Sequence, residues 1–146
     1  MKLLVTGGSG FIGSNFLNLA FRKKFTSILN IDSLTYAANQ ENIHSENEDN
    51  YKFANIDITN KDLLELTINE FKPNIIVHFA AESHVDNSIL NPQNFINTNV
   101  IGTYNLIEIS RQYIEKNNIK DFHFIHISTD EVFGDLSDTG YFKEDT

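Results

Sequence analysis

Short apolar runs alternate with longer amphipathic segments along this chain, and the alternation predicts an α/β protein. Five runs have the length and the β-branched content that are typical of strands. They lie at residues 2–6, 27–31, 52–56, 75–79 and 123–128. Because helical patterns separate these runs, we expect a parallel sheet with helices on both faces and right-handed crossovers.

Three longer segments place apolar residues at helical spacing, which predicts helices over residues 12–25, 60–71 and 92–117. The inward faces are expected to hold Ile12, Phe16, Leu17, Ala20 and Phe21 in the first helix and Leu63, Leu64, Ile68 and Phe71 in the second. Three other segments are interpreted as weakly helical (35–43), as a polar acidic loop (45–50) and as loop (129–146).

The predicted long helix carries more apolar surface than one contact with a sheet requires. One stripe consists of Ile96, Val100, Ile107 and Ile114, and the other of Phe95, Leu106, Ile109 and Tyr113. Two interpretations remain open at this point. Both stripes are buried in a thick α/β sandwich, or the second stripe contacts a partner subunit.

Length and composition restrict the class of protein. The chain has 146 residues, the size of one domain, which we place at 1–146. Eleven basic and 20 acidic residues give a net charge of -9, which opposes binding to nucleic acid or to an anionic membrane. The absence of cysteine excludes disulfides, and the five histidines are scattered, so no metal site is expected. No run approaches the roughly 20 apolar residues of a membrane span, and we expect a cytoplasmic protein.

A glycine-rich turn follows the first predicted strand and precedes the first predicted helix. Gly7, Gly10 and Gly13 lie at three-residue spacing, as in turns that place a diphosphate on the free N–H groups of a helix start. A lone glycine pattern would equally fit a plain tight turn. Here Asp32 ends the second strand, where a carboxylate can accept hydrogen bonds from both ribose hydroxyls of adenosine. No lysine or arginine follows Asp32 before Lys52, so the pattern favours NAD over NADP.

The glycine spacing, with Phe11 and Ile12, resembles the extended short-chain dehydrogenase/reductase superfamily. Three strings narrow the resemblance to the nucleotide-sugar 4,6-dehydratases, and within them to the branch that acts on dTDP-glucose. These strings are DSLTYAANQENI from Asp32, HFAAESHVDNSI from His78 and STDEVFGD from Ser128. The resemblance extends over all 146 residues. It implies a Rossmann-like, doubly wound parallel sheet in three layers, with strand order 3-2-1-4-5.

The resemblance also implies a reaction on one bound sugar nucleotide, dTDP-glucose. The sugar is oxidised at C4 by NAD, loses water across C5 and C6, and is then reduced at C6. Asp130 would be the acid and Glu131 the base of the elimination, with Thr129 bonding the C4 oxygen. Two adjacent carboxyl groups in different environments suit such an acid–base pair. Without the resemblance, both could equally be ordinary acidic loop residues.

The same residue-by-residue comparison assigns cofactor contacts around the glycine turn, beginning with Gly7, Gly10 and Gly13. Phe11 and Ile12 would contact the diphosphate, and the adenosine ribose would contact Asp32, Ser33, Leu34 and Thr35. The adenine would contact Asp57 and Ile58. The nicotinamide-side ribose would contact Phe79, Ala80, Ala81, Glu82 and Ser83, and Thr98 would reach the site from the long helix. Ser83 also matches a position that contacts substrate.

One superfamily feature is absent, because no tyrosine in this sequence has a lysine four residues later. We therefore expect the N-terminal, incomplete part of a longer enzyme, truncated at one edge of its sheet and inactive alone. The resemblance implies a homodimer of the intact enzyme, formed partly through the long helix. Two alternatives stay open: another NAD-dependent nucleotide-sugar epimerase or dehydratase, and a non-catalytic NAD-binding module.

Overall fold

One five-stranded sheet forms the centre of the fold in a computed structural model that describes residues 1–44, 50–135 and 140–146. Its strands are β1 (Lys2–Thr6), β2 (Ser27–Asp32), β3 (Tyr51–Asn55), β4 (Ile75–His78) and β5 (His123–His126). All neighbouring pairs are parallel, and the order is β3-β2-β1-β4-β5. The predicted strand order is confirmed, and the strand bounds differ from the predicted ones by at most two residues.

Both faces of the sheet are covered, which confirms the three-layer arrangement. Successive residues of a strand point to opposite faces, so Leu3 and Leu4 enter different cores. One core joins the sheet to the first helix, and its buried members are Leu3, Val5, Leu17, Ala20, Ile28 and Val77. The other core joins the sheet to the helices on the opposite face, and its buried members include Leu4, Ile31, Leu64, Ile68, Ile76, Leu106 and Ile109.

The helical elements are α1 (Phe11–Ala20), α2 (Lys61–Phe71), α3 (Val85–Leu90), α4 (Pro92–Phe95), a π-helical segment (Ile96–Gly102) and α5 (Thr103–Asn117). In the described part of the chain, the segments Gln40–Asn42 and Asp130–Phe133 form 3₁₀ helices in the loops after β2 and β5. As predicted, the Asn60 side chain caps α2 by accepting a hydrogen bond from the Leu63 N–H. No helix in the described ranges has the length and apolar content needed to cross a membrane.

Two expectations about buried helix faces are wrong. Helix α1 ends at Ala20 rather than at residue 25, and Ile12 is 62% exposed. Ile12 lies in the first turn of α1, whose buried residues are Gly13, Ser14, Leu17 and Ala20. In α2, Leu64 and Ile68 are buried but Leu63 is exposed, because it lies one helical step to the side of the buried stripe.

The loops also differ from the expectations. In the weakly helical segment 35–43, only Gln40–Asn42 is helical, a single 3₁₀ turn. The segment 129–146 contains the 3₁₀ helix Asp130–Phe133, and the acidic loop at 45–50 lies outside the described residues except for Asn50. Helix α3 has no counterpart among the predictions, because its apolar side chains point to solvent rather than forming an inward face.

The predicted long helix is continuous from Pro92 to Asn117 but contains the π-helical segment. Its stripe of Leu106, Ile109 and Tyr113 packs on the sheet and on α2. The other stripe is largely exposed: Ile96 is 50%, Val100 58% and Ile107 49% accessible. Burial of both stripes within one sandwich is therefore wrong for the described chain. The second stripe packs within the chain, so a partner contact of that stripe is not supported, and contact of the exposed stripe with a partner subunit stays a prediction.

Candidate functional site

A cleft of about 290 Å³ opens at the carboxyl ends of β2, β1 and β4. At this point the strand order reverses direction around β1, which is where open α/β sheets bind ligands. The lining includes Gly7 and Gly10 of the glycine turn and residues that follow β2, β3 and β4. These are Asp32, Ser33, Thr35, Ala37 and Ala38; Asp57, Ile58 and Thr59; and Phe79, Ala80, Ala81 and Glu82. Asn94, Asn97 and Thr98 line it from the long helix.

The three predicted glycines meet different physical requirements. Gly7 has a φ of +72°, and a Cβ atom there would lie 2.5 Å from the Ala80 nitrogen. A Cβ atom on Gly13 would lie 2.2 Å from the Gly7 carbonyl oxygen, so Gly13 lets α1 approach the turn. Gly10 is different, since a Cβ atom there would meet nothing closer than 3.4 Å. Packing within the chain therefore does not require Gly10 to lack a side chain, but close approach of a ligand would.

The start of α1 offers free backbone donors. The Gly10 N–H is bonded to the Gly7 carbonyl, and the first bond of the helix runs from the Ser14 N–H to the Gly10 carbonyl. Within residues 1–44, 50–135 and 140–146, no group accepts a hydrogen bond from the N–H groups of residues 11–13. These three donors, at the positive end of the helix dipole, are suited to binding an anion.

A buried polar network holds the second and third residues of the turn. Asn30, in the middle of β2, accepts a hydrogen bond from the Gly8 N–H (3.1 Å) through Oδ1. Its Nδ2 donates to Ser9 Oγ and to the Tyr51 hydroxyl, both at 3.2 Å. A Cβ atom on Gly8 would lie 2.3 Å from Asn30 Oδ1, so the contact requires glycine at this position too.

Asp32 is 8% exposed and accepts two backbone hydrogen bonds. Its Oδ2 accepts from the Ser9 N–H (2.9 Å) and its Oδ1 from the Leu34 N–H (2.8 Å). Leu34 has a φ of +54°, a left-handed conformation that is unfavourable for a leucine, and its N–H thereby points back at Asp32. Because a carboxylate offers about four acceptor sites, each oxygen of Asp32 can still accept a further bond.

The loop after β3 is attached to the long helix. Asn105 of α5 donates through Nδ2 to the carbonyl oxygens of Ile58 and Thr59, at 3.3 Å each. A Cβ atom on Gly102 would lie 2.6 Å from the Ile58 side chain, so Gly102 is a close-packing glycine, as its position in the helix suggests. These contacts fix the loop that carries Asp57, the residue assigned to adenine by resemblance.

A single side chain holds the segment after β4. Asn99 accepts a hydrogen bond from the Glu82 N–H and donates to the Glu82 carbonyl, both at 2.8 Å. In the described part of the chain, no other hydrogen bond reaches the backbone of residues 80–83. Asn99 belongs to the π-helical segment, and such segments are common at functional sites.

His78 ends β4 beneath this segment and is fully buried. Its Nδ1 lies 2.6 Å from the Thr6 hydroxyl and its Nε2 2.9 Å from the Thr103 hydroxyl, so a neutral ring can donate to one and accept from the other. Burial, with a smaller contribution from His126, lowers the pKa of His78 to about 4. The His126 ring stacks on it, with centroids 5.1 Å apart.

Most residues that the resemblance assigns to the cofactor border the cleft, but five do not. Phe11, Ile12, Gly13, Leu34 and Ser83 lie beside it without lining it. Thr129, Asp130 and Glu131 also lie outside the lining, exposed in and just before the 3₁₀ helix that follows β5. Bonds from the Thr129 side chain and from its own backbone lower the pKa of the Glu131 carboxyl.

A model of the GDP-mannose 4,6 dehydratase family matches residues 4–146, nearly the whole chain. The chain belongs to this family.

Several relatives of this dehydratase family carry the same functional description. The dTDP-glucose 4,6-dehydratase of Haemophilus influenzae is 44% identical over an alignment of 141 positions that covers 94% of this chain and 42% of that protein. The dTDP-glucose 4,6-dehydratase of Escherichia coli is 44% identical over 150 residues, covering 100% of this chain and 41% of that protein. The chain thus spans about two fifths of the length of the curated relatives it matches.

Solved structures of related enzymes have the same fold. The dTDP-glucose 4,6-dehydratase of Bacillus anthracis, in complex with NAD, is 42% identical with a TM-score of 0.81, over 100% of this chain and 43% of that one. The UDP-glucose 4-epimerase of Thermus thermophilus, also in complex with NAD, is 32% identical with a TM-score of 0.69, over 77% of this chain and 34% of that one.

Three asparagines of this dehydratase-family chain were not among the predicted site residues. Asn99 and Asn105 lie on a helix, where nothing in the sequence shows which strand-end loops they face. Asn30 did leave a signal, because a polar residue interrupts the buried apolar run of β2. A buried asparagine needs hydrogen-bond partners, and the glycine turn is the element that follows the neighbouring strand.

Proposed function

We propose that this chain is the NAD-binding part of a dTDP-glucose 4,6-dehydratase. The observation that carries the proposal is the cleft itself, where the carboxylate of Asp32 and the loop of Asp57 border one groove and the free N–H groups at the start of α1 lie beside it. The dTDP-glucose 4,6-dehydratases among the relatives, at 44% identity, support the choice of reaction.

The residues of the cleft fit the parts of NAD. The N–H groups of residues 11–13 would hold the diphosphate, which could approach at Gly10, where there is room for it. The two remaining acceptor positions of Asp32 suit the two hydroxyls of the adenosine ribose, and the same charge would repel a 2′-phosphate. Residues 79–82, held by Asn99, would face the nicotinamide-side ribose.

The elimination is assigned to the residues after β5. Asp130 would protonate the departing C6 oxygen while Glu131 takes the C5 proton, so that one water leaves for each C5–C6 double bond formed. Thr129 would donate a hydrogen bond to the C4 oxygen and hold it in place. The lowered pKa of Glu131 makes it a weaker base than an ordinary glutamate, so removal of the C5 proton would depend on the acidity that the C4 ketone gives that proton.

When bound, NAD⁺ would accept a hydride from C4 as the C4 hydroxyl loses its proton to a base, and would return that hydride to C6 as C5 regains a proton. The C4 ketone formed in the first step acidifies the C5 proton that Glu131 removes. Strand β5 pairs with β4 in parallel, so the residues that follow both strands lie at the same edge of the sheet. This pairing supports a position of Thr129, Asp130 and Glu131 on the same side of the sheet as the segment proposed for the nicotinamide-side ribose.

The proposal is tested by offering the full-length protein, with NAD, a panel of dTDP-glucose, UDP-glucose and GDP-mannose. We expect a 4-keto-6-deoxy product from dTDP-glucose. A 4-epimer from UDP-glucose would favour the epimerase alternative, and binding of NAD without turnover of any sugar would favour a non-catalytic module. Residues 1–146 alone contain no Tyr-x-x-x-Lys pair, and we expect no dehydration from them.

The proposed enzyme is a homodimer that uses the exposed stripe of the long helix. Ile96, Val100 and Ile107 form an apolar face that the described chain does not cover. Replacing Val100 with lysine would place a charge in this interface. We expect light scattering to show a dimer for the unaltered full-length protein and a larger monomer fraction for the variant.

A further inference from the structure

Two aromatic side chains from different loops, Tyr36 and His84, contact each other at the carboxyl edge of the sheet. The rings of Tyr36 and His84 lie edge to face, with centroids 6.4 Å apart and an interplanar angle of 79°. This is the distance and the orientation that aromatic pairs prefer. Tyr36 is exposed on its other sides, and its loop is separated from that of His84 by 48 positions in sequence.

The sheet topology places this contact across the cleft. Tyr36 follows β2 and His84 follows β4, whereas β1 lies between those two strands. Strands in a sheet are about 4.8 Å apart, so the ends of β2 and β4 are separated by roughly 10 Å. The contact between the two rings therefore joins the loops that follow the strands on either side of β1, the strand that leads into the glycine turn.

The neighbours of both rings border the cleft on opposite sides. Thr35 and Ala37, on either side of Tyr36, line the wall after β2. Ala81 and Glu82, just before His84, line the wall after β4. Neither ring lines the cleft itself, so each contacts the other ring rather than the space where a ligand would lie.

We propose that Tyr36 and His84 form a gate over the diphosphate position that a dinucleotide must open to enter or leave. The inference rests on the proposed NAD function. Because the rings contact each other and not the ligand, loss of the contact lowers the energy barrier to NAD entry and to NAD release by the same amount. Entry and release therefore accelerate together, and the affinity for NAD changes little.

The test measures NAD exchange in the full-length protein and in Tyr36→Ala, His84→Ala and the double variant. Release is followed as loss of radiolabelled NAD after addition of excess unlabelled NAD, and the dissociation constant by equilibrium dialysis. The release rate constant divided by the dissociation constant gives the association rate constant. Tyr36→Phe is the matched control, because it keeps the ring and removes only the hydroxyl.

We expect both alanine variants to raise the release rate roughly two- to tenfold, the range for loss of one aromatic pair, with less than about a twofold change in the dissociation constant. The double variant should be no faster than the faster single variant, since each removes the same contact, and Tyr36→Phe should match the unaltered protein. Unchanged release in the alanine variants would overturn the gate, as would faster release matched by an equal loss of affinity. Failure of the unaltered protein to bind NAD would overturn the proposed function and the gate together.

Discussion

The buried His78 predicts that the folded state loses stability as the pH falls through a defined window. Folding lowers the pKa of His78 from 6.5 to about 4, because the ring is desolvated beneath the cleft. The folded state therefore holds His78 neutral at pH values where the unfolded chain has already bound a proton. This contribution to stability is complete above pH 6.5 and is lost as the pH falls from about 6.5 to about 4.

The size of the effect follows from the difference between the two pKa values. At roughly 1.4 kcal/mol for each pH unit, the free energy of unfolding should fall by about 3 kcal/mol across the window. This is a large share of the roughly 5–15 kcal/mol that stabilises a typical domain. Carboxyl groups also titrate in this range, so the total pH dependence alone does not isolate His78.

A substitution isolates the contribution of His78. Urea unfolding is measured between pH 7.5 and 4 for the unaltered protein and for His78→Asn, which keeps a hydrogen-bonding group near Thr6 but cannot titrate. We expect the difference in unfolding free energy between the two to shrink by about 3 kcal/mol as the pH falls. His123→Asn is the control, since that side chain is 65% exposed and should leave the pH profile unchanged. A His78→Asn profile parallel to that of the unaltered protein would refute the reasoning.

Three further predictions concern the cleft. Asp32→Ala should weaken NAD binding by about 1.5–3 kcal/mol, the range for a hydrogen bond to a charged group, and unchanged affinity by calorimetry would place the ribose elsewhere. Gly10→Ala should leave the midpoint of unfolding unchanged but weaken NAD binding. Gly7→Ala should lower the midpoint of unfolding, because only Gly7 needs its positive φ and the space beside Ala80. Equal midpoints for the two variants would contradict this. Asn99→Asp cannot donate to the Glu82 carbonyl, so it should weaken NAD more than ADP, which lacks the nicotinamide half. An equal loss for both ligands would show that Asn99 does not act on that half alone.

Strands β1, β2 and β4 were predictable because each is a short, mainly apolar run bounded by polar residues or glycine. Parallel strands buried on both faces produce such runs. Leu3 enters one core and its neighbour Leu4 the other, so β1 shows no alternation of apolar and polar residues. Helix α3 could not be predicted in the same way. Its apolar residues Val85, Ile89 and Leu90 are exposed, so no inward face marks the helix.

The site was predictable only where a residue type has one strong physical reason for its place. Gly7 is one such residue, because its positive φ favours glycine. Asp32 is another, because a carboxylate at the end of β2 can bind a ribose. The bonds from Asn99 and Asn105 to the strand-end loops depend instead on the distance between elements 17 and 46–47 residues apart in sequence. Spacing along the chain does not show that distance. It does not show the π-helical segment that carries Asn99 either.

The double role of Asp32 constrains attempts to re-engineer dinucleotide preference. Exchanging it for a small or basic residue would remove the repulsion of a 2′-phosphate, but it would also strip the N–H groups of Ser9 and Leu34 of their acceptor. Ser9 is fully buried, so water could not replace the lost bond there. A redesign for NADP would therefore have to change the glycine turn and the bend at Leu34 together with Asp32. Single substitutions of Asp32 should lower the stability of the protein without completing the change of preference from NAD to NADP.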